Sequence, residues 1–200
     1  MKRKIIFVDP AGATPIDDVT GLIPANIKTR RQLFIAEARN ISKPLTRYMA
    51  AVPPMRRAPF TLEWAYKLHG EMFGEVWEWA GSRRTTELNF GVPAYQIDHD
   101  LKNLFDDLAA WREHQSFPLV EQSVRLHHRA VWIHPVRNGN GRWARLLANI
   151  WLKRWRHAPV KWPEQTIGDE SRIRKEYIAA VKAADRGDYT ALIALHERYL

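Results

Sequence analysis

His134-Pro135-Val136-Arg137-Asn138-Gly139-Asn140-Gly141-Arg142-Trp143-Ala144-Arg145 is the stretch on which the reading of this chain turns. The segment before it predicts a helix that ends at His134 and presents the imidazole at a loop edge. Gly139 and Gly141 permit positive φ and carry no Cβ, so the amides around Asn140 can curve into an anion-binding nest. A further helix, predicted from about Gly141, adds unpaired amides and the positive end of its dipole. Arg142 and Arg145 stand three apart in its first turn and share a face. The combination describes a polyphosphate cradle with a base of near-neutral pKa beside it. It is not a Walker P-loop, because the GxxxxGK[ST] spacing is absent.

Outward from this stretch, helical periodicity dominates. Thr29-Arg30-Arg31-Gln32 fits a capping box, and Leu33, Phe34, Ala36 and Ile41 continue a helix into the forties. Pro53, Pro54 and Pro59 break it. Thr61 is placed to cap a second helix with Glu63 in its first turn, and Leu62, Ala65, Leu68, His69, Met72, Phe73 and Val76 form its apolar stripe, ending near Gly81. Residues 82–97 change character. Thr85, Thr86, Leu88, Phe90, Tyr95 and Ile97, with Gly91 and Pro93 between, predict a short β-hairpin. Helices are expected again at 98–113, 121–133, 171–184 and 189–199. The expected organisation is an extended lead segment over 1–28 and a single, mainly α domain over 29–200, a helical bundle with one short β-hairpin flap.

Composition bounds the rest. The chain has 200 residues, 46% hydrophobic and 26% charged, ordinary values for a folded domain. Thirty-one basic and 22 acidic residues leave a net charge of +9, which favours polyanionic partners. The absence of cysteine excludes disulfides, thiol nucleophiles and Cys-based zinc sites. Four apolar residues, Ile5 to Val8, are too few for a signal peptide, and no run approaches the length of a membrane span, so a cytoplasmic protein with no membrane contact is expected. His127 and His128 lie seven and six residues before His134, a poor spacing for a shared metal, and one or both are expected to pack beneath the motif loop. Trp64, Trp77, Trp79, Trp111, Trp132 and Trp151 read as core and hairpin packing.

The 134–145 stretch closely resembles the motif of the Fic family, HPFx(D/E)GNGRxxR. Trp79-Ala80-Gly81, Arg84 and Leu88-Asn89-Phe90-Gly91 resemble the family's flap. Tyr177 to Leu192 resembles its helical tail, and Gly12 to Thr29 resembles the lead segment of the subgroup called mobile mystery protein B. The resemblance implies the Fic fold and a protein adenylyltransferase that moves AMP from ATP to a Ser, Thr or Tyr hydroxyl of a target protein, releasing pyrophosphate. It implies His134 as general base, with Gly139, Asn140, Gly141, Arg142 and Arg145 on the phosphates and Arg145 at the γ-phosphate. The target would be aligned by the flap, Thr85, Thr86, Glu87, Leu88, Asn89 and Phe90. Magnesium would bridge the phosphates, with Asn138, which stands where the family has an acidic residue, as a contact through its amide oxygen. Val136, in place of the motif phenylalanine, implies a more loosely anchored loop.

Many Fic proteins are restrained by a glutamate that pairs with the second motif arginine. Glu37 is the candidate, although Leu33 and Ala38 depart from the pattern (S/T)xxxE(G/N). Two rival readings remain. Relatives of the death-on-curing type transfer the γ-phosphate and so act as kinases, but they carry Lys where this chain has Gly141 and lack the second arginine. The basic clusters Arg56-Arg57, Arg83-Arg84, Lys153-Arg154-Trp155-Arg156 and Arg172 to Lys175 fit a DNA-binding accessory protein. The subgroup resemblance adds a toxin-like, mobile-element setting, and an antitoxin-like or DNA-binding partner and a homo-oligomer stay open.

Overall fold

The computed structural model describes residues 19–164 and 171–200. Most of the expected lead segment, residues 1–18, lies outside the described residues. Its last part runs across the turn after the second helix, where Glu78 N–H donates to Gly21 O at 2.8 Å and Ile23 N–H to Val76 O at 2.9 Å.

Seven α-helices are found among the described residues: α1 Arg30–Met49, α2 Leu62–Phe73, α3 Ile97–Glu113, α4 Leu119–Ile133, α5 Asn140–Arg154, α6 Arg172–Ala184 and α7 Thr190–Arg198. The local signals act where the sequence puts them. Thr29 and Gln32 form a complete capping box. The Thr61 hydroxyl accepts from Trp64 N–H and the Ser171 hydroxyl from Arg174 N–H. Helix α1 runs through Pro44, which has no N–H for the Asn40 carbonyl one turn earlier.

Helix α5 sits at the centre. Every residue from Trp143 to Leu152 is buried, as expected of a helix surrounded by others. Helix α4 lies along it most extensively, with α3 beyond α4 and the α1–α2 pair on another side. Trp77, Trp143, Phe73, Leu68, Met72 and Leu104 fill the main core. A smaller cluster of Val124, Tyr177, Ala180, Ala184, Leu192 and Leu195 fastens α6 and α7 to α4. No helix among the described residues is long and apolar enough to cross a membrane.

The 82–97 segment does not pair with itself. Its only ladder contact among the described residues is an antiparallel bridge from Arg83 to Val136, and Arg84 N–H donates to Pro135 O at 3.0 Å. The predicted hairpin is therefore replaced by an irregular loop closed by a side chain. The Arg84 guanidinium takes the carbonyls of Thr86 at 3.0 Å and of Val92, so one buried cation supplies what a strand pair would.

Buried asparagines join helices to neighbouring backbone. Asn40 of α1 donates to Glu71 O and accepts from Glu75 N–H, both at 2.9 Å, fixing α1 to the end of α2. Asn149 does the same for Val160, again at 2.9 Å twice. Asn40→Ala leaves a backbone donor and acceptor unmatched at a buried helix contact. It is expected to destabilise the fold by about 1–3 kcal/mol, measured by urea denaturation with an unchanged m-value.

Candidate active site

His134 terminates α4 in the left-handed region, with φ 53° and ψ 57°. This conformation turns the chain sharply from helix into the motif loop. Its Nδ1 lies 3.3 Å from Val131 O, so the proton belongs on Nδ1 and the lone pair on Nε2. Nε2 is buried and has no partner among the described residues. Burial, opposed by the Val131 carbonyl and helped by the Arg84 charge, lowers the pKa to about 4. The group is thus a neutral imidazole with one unmatched acceptor. The Phe90 ring meets it edge-on at 4.5 Å. Arg84 Nε donates to His134 O at 2.7 Å, and a Cβ on Gly91 would stand 2.7 Å from the His134 Cβ. Only glycine, here at φ 94°, lets the loop come this close.

The loop turns into α5 at Gly139, with one change of role for its neighbour. Gly139 adopts φ 81° over the Phe73 ring, where a Cβ would approach the ring carbon to 2.6 Å. It caps α5 without a side-chain acceptor, so the first amides of α5 have no intrahelical partner. The Asn140 side chain, however, is not available to a phosphate. Its Nδ2 donates to Val136 O at 2.8 Å and its Oδ1 accepts from Val136 N–H at 3.1 Å. Asn140 shapes the loop, and what it offers an anion is its backbone amide. Val136, although smaller than the phenylalanine of the family motif, is 1% exposed and held at both backbone groups.

Both arginines are engaged by carboxylates. Arg142, over the Phe73 ring, donates to Glu37 Oε2 at 2.7 Å, while Trp77 Nε1 donates to Glu37 Oε1 at 2.7 Å. Glu37 therefore meets the first motif arginine rather than the second, as the resemblance had implied. Arg145 instead donates through Nε to Glu164 Oε1 at 2.8 Å and through Nη2 to Glu164 Oε2. Burial weakens the charge on Arg145, but the paired Glu164 outweighs it and its pKa is raised.

These groups line one cavity of about 1360 Å³, between α1, the motif loop, α5 and α6. Asn89, Phe90 and Gly91 reach it; Thr85, Thr86, Glu87 and Leu88 do not. The carboxylates on its wall, Glu37, Glu164 and Asp185, pair with Arg142, Arg145 and His128 respectively. The Asn138 oxygen accepts from Gly139 N–H at 2.6 Å. In the described state every carboxylate on this wall is paired, and Asn138 offers an uncharged oxygen that already accepts one hydrogen bond, so the arrangement presents no ready-made site for a protein-held magnesium ion.

Residues 59–152 match the family model described as Fic/DOC family. That stretch belongs to the Fic/DOC family. It is 32% identical over 117 residues to Protein adenylyltransferase fic-1 of Caenorhabditis briggsae, covering 54% of this chain and 21% of that protein. It is 30% identical over 138 residues to Protein adenylyltransferase Fic of Drosophila grimshawi, covering 67% and 27%. The chain thus spans about a quarter of the length of these curated relatives. Among solved structures, Fic-1 (residues 134–508) of C. elegans superposes with a TM-score of 0.68 at 23% identity, over 90% of this chain and 52% of that one. BepC of Bartonella tribocorum, with bound AMPPNP, gives 0.66 at 20% identity, over 86% and 88%. The chain has the Fic fold.

Several residues that shape this Fic site were not visible as such in the sequence. His69, counted in an apolar stripe, accepts Gly81 N–H on Nδ1 and donates from Nε2 to Asn138 O, both at 3.0 Å, tying the motif loop to α2. Its polarity within a core stripe was the available signal. Glu164 carried none. His127 and His128 do not pack beneath the motif loop. They face the tail, His127 meeting His196 and Tyr177 and His128 meeting Asp185 and Tyr189. Trp132 is 53% exposed on the cavity wall rather than in the core.

Burial lowers the pKa of His69 and His134 to about 4, of His196 to about 3, and of His127 well below its ordinary value. Unfolding returns each to about 6.5. Below pH 6.5 the unfolded chain therefore binds more protons, so stability falls with pH until the folded groups protonate near 4. The melting temperature should drop by several degrees between pH 7.5 and pH 5; a flat profile would contradict neutral buried histidines.

Proposed function

We propose that this chain transfers AMP from ATP to a hydroxyl of a target protein. The observation that carries the reading is the lone His134 Nε2, buried and unpartnered, beside a cradle of helix amides and two arginines. Nε2 takes the proton from the hydroxyl, and the oxygen attacks the α-phosphorus. The bond from that phosphorus to the bridging oxygen breaks, and pyrophosphate leaves with the electron pair. The amides at Gly139 to Gly141 hold phosphate oxygens, Arg142 offsets their charge, and Arg145 meets the outermost phosphate. Phe90 and the loop bearing it align the target segment. The names of the relatives support this chemistry, and their greater length leaves the target to be found. Charge stabilisation is assigned to the arginines, since the wall carboxylates are paired. A cytoplasmic setting, where ATP is abundant, suits the reaction.

Glu37 and Glu164 hold the two arginines that the phosphates need, so the described state is a restrained one. Nucleotide must replace each carboxylate. Glu37→Gln keeps an acceptor for Trp77 while releasing Arg142, and Glu164→Gln weakens the hold on Arg145. Each is expected to raise the rate of label transfer several-fold, Glu37→Gln with a lowered melting temperature because its carboxylate is buried, and Glu164→Gln, at the exposed pair, without one. Unchanged rates in both would remove the restraint.

The reaction itself is tested with ATP labelled at the α- or the γ-phosphate, incubated with bacterial lysate and either wild type or His134→Ala. Label on protein from α-labelled ATP alone, abolished in His134→Ala, is the expected result. Label from γ-labelled ATP alone would mean phosphoryl transfer and overturn the reading.

A further inference from the structure

Three consecutive carbonyls at the turn out of α4 are held by one short stretch of the loop that precedes α3. Ile133 O accepts from Val92 N–H at 3.4 Å, His134 O from Arg84 Nε at 2.7 Å, and Pro135 O from Arg84 N–H at 3.0 Å. The middle carbonyl belongs to His134 itself. The same guanidinium closes the loop on itself, Nη1 donating to Thr86 O at 3.0 Å and Nη2 to Val92 O. Arg84 thus stands where two segments cross: the loop that carries Phe90 and the turn that carries the imidazole.

The turn needs such a hold. His134 sits at φ 53° and ψ 57°, a left-handed conformation that a residue with a Cβ keeps only when its surroundings impose it. The last carbonyls of a helix also lack intrahelical partners, and here donors from the loop take them. At the ring, Nδ1 has only the Val131 carbonyl at 3.3 Å, and Phe90 adds an edge contact. The direction of the imidazole is therefore set through its main chain.

The side chain that provides the hold is a costly one. It is 1% exposed, and Glu87, the carboxylate paired with it at 3.8 Å, is 67% exposed. A cation buried this far from its counter-charge is retained for what its donors reach. The guanidinium spreads Nε, Nη1 and Nη2 outward in a flat fork and meets carbonyls of both segments, whereas a lysine ammonium carries its donors at one point. Arg84 does not line the cavity.

We propose that Arg84 is a positioning residue for His134. By binding the His134 carbonyl and closing the 84–92 loop with one guanidinium, it holds Nε2 where the target hydroxyl arrives. The target-aligning loop and the base are thereby one unit, while the phosphate cradle at 139–145 is held separately. The proposal rests on the reading of His134 as the base.

Arg84→Met and Arg84→Lys are compared with wild type and His134→Ala. ATP affinity is measured by calorimetry, label transfer from α-labelled ATP in bacterial lysate, and the backbone at residue 134 from crystal structures of both Arg84 variants. Arg84→Met keeps the stem and loses every donor. It should slow label transfer on the order of 100-fold, the cost of misplacing a reacting group by about 1 Å, and leave ATP affinity within about twofold. Its residue 134 should leave the left-handed region while Gly139 to Arg145 stay in place. ATP affinity falling in step with the rate would mean a general structural role and overturn the proposal. So would a slowed variant whose His134 is unmoved, because the loop alone would then be at fault. A wild-type rate in Arg84→Met would overturn it directly. A wild-type rate in His134→Ala would overturn the reading of the base, and this inference with it. If Arg84→Met fails to fold, Arg84→Lys decides: full label transfer with His134 unmoved would refute the role of the fork. The affinity and backbone readouts hold whether or not the lysate contains the target.

Discussion

The Asn140 carboxamide, closed on both backbone groups of Val136, is the contact on which the site depends. It turns a glycine-rich stretch with many accessible conformations into one loop. The other ties presuppose that loop. Arg84 reaches His134 O, Arg84 N–H reaches Pro135 O, and His69 reaches Asn138 O. Each is made to main chain rather than to side chain, so the motif is held by its carbonyls while His134 Nε2 stays without a partner among the described residues. A loop held this way meets the requirement of preorganised catalysis, in which groups are in place before the substrate arrives.

Charge closes what hydrogen bonds have shaped. The chain carries a net +9, yet both motif arginines are matched by glutamate inside the cavity. Glu37 is nearly fully buried and is also bonded to Trp77, whereas the Glu164 side chain is 45% exposed. The two pairs therefore differ in kind. One is part of the packing between α1 and α5. The other sits at the rim, where water already competes for the carboxylate and separation is easier. A triphosphate entering the cavity meets these two resistances at different depths.

Much of the fold was legible because its signals are local. The capping box at Thr29 and Gln32, the caps at Thr61 and Ser171, and the glycine break before α5 depend on neighbours within a few residues. The hairpin expectation failed because its evidence was local too. Alternating side chains between Thr85 and Ile97 look like strands, but Arg84 and Pro135, far apart in sequence, decide the path of the chain. The same limit applies to the site. His134, Arg142 and Arg145 announce themselves by spacing. The partners of Glu37 and Glu164, and the contacts that run from Tyr177 through His127 to His196, are set by which distant segments meet, and no periodicity encodes that. His69 shows the intermediate case, a polar residue at a core position whose partner was unknowable although its oddity was plain.

The segment that matches the family, residues 59–152, holds His134, Arg142, Arg145 and the loop ties. Glu37 precedes it, and Glu164 follows it. The wiring of this molecule is thus divided along the chain: an inherited chemical unit in the middle, with the groups that grip its two arginines supplied from either flank. Substitution of Glu37 or Glu164 can change the grip on these arginines while the ties that hold the central loop stay in place. Lineages that share this centre are therefore free to differ in how readily its two cations are released.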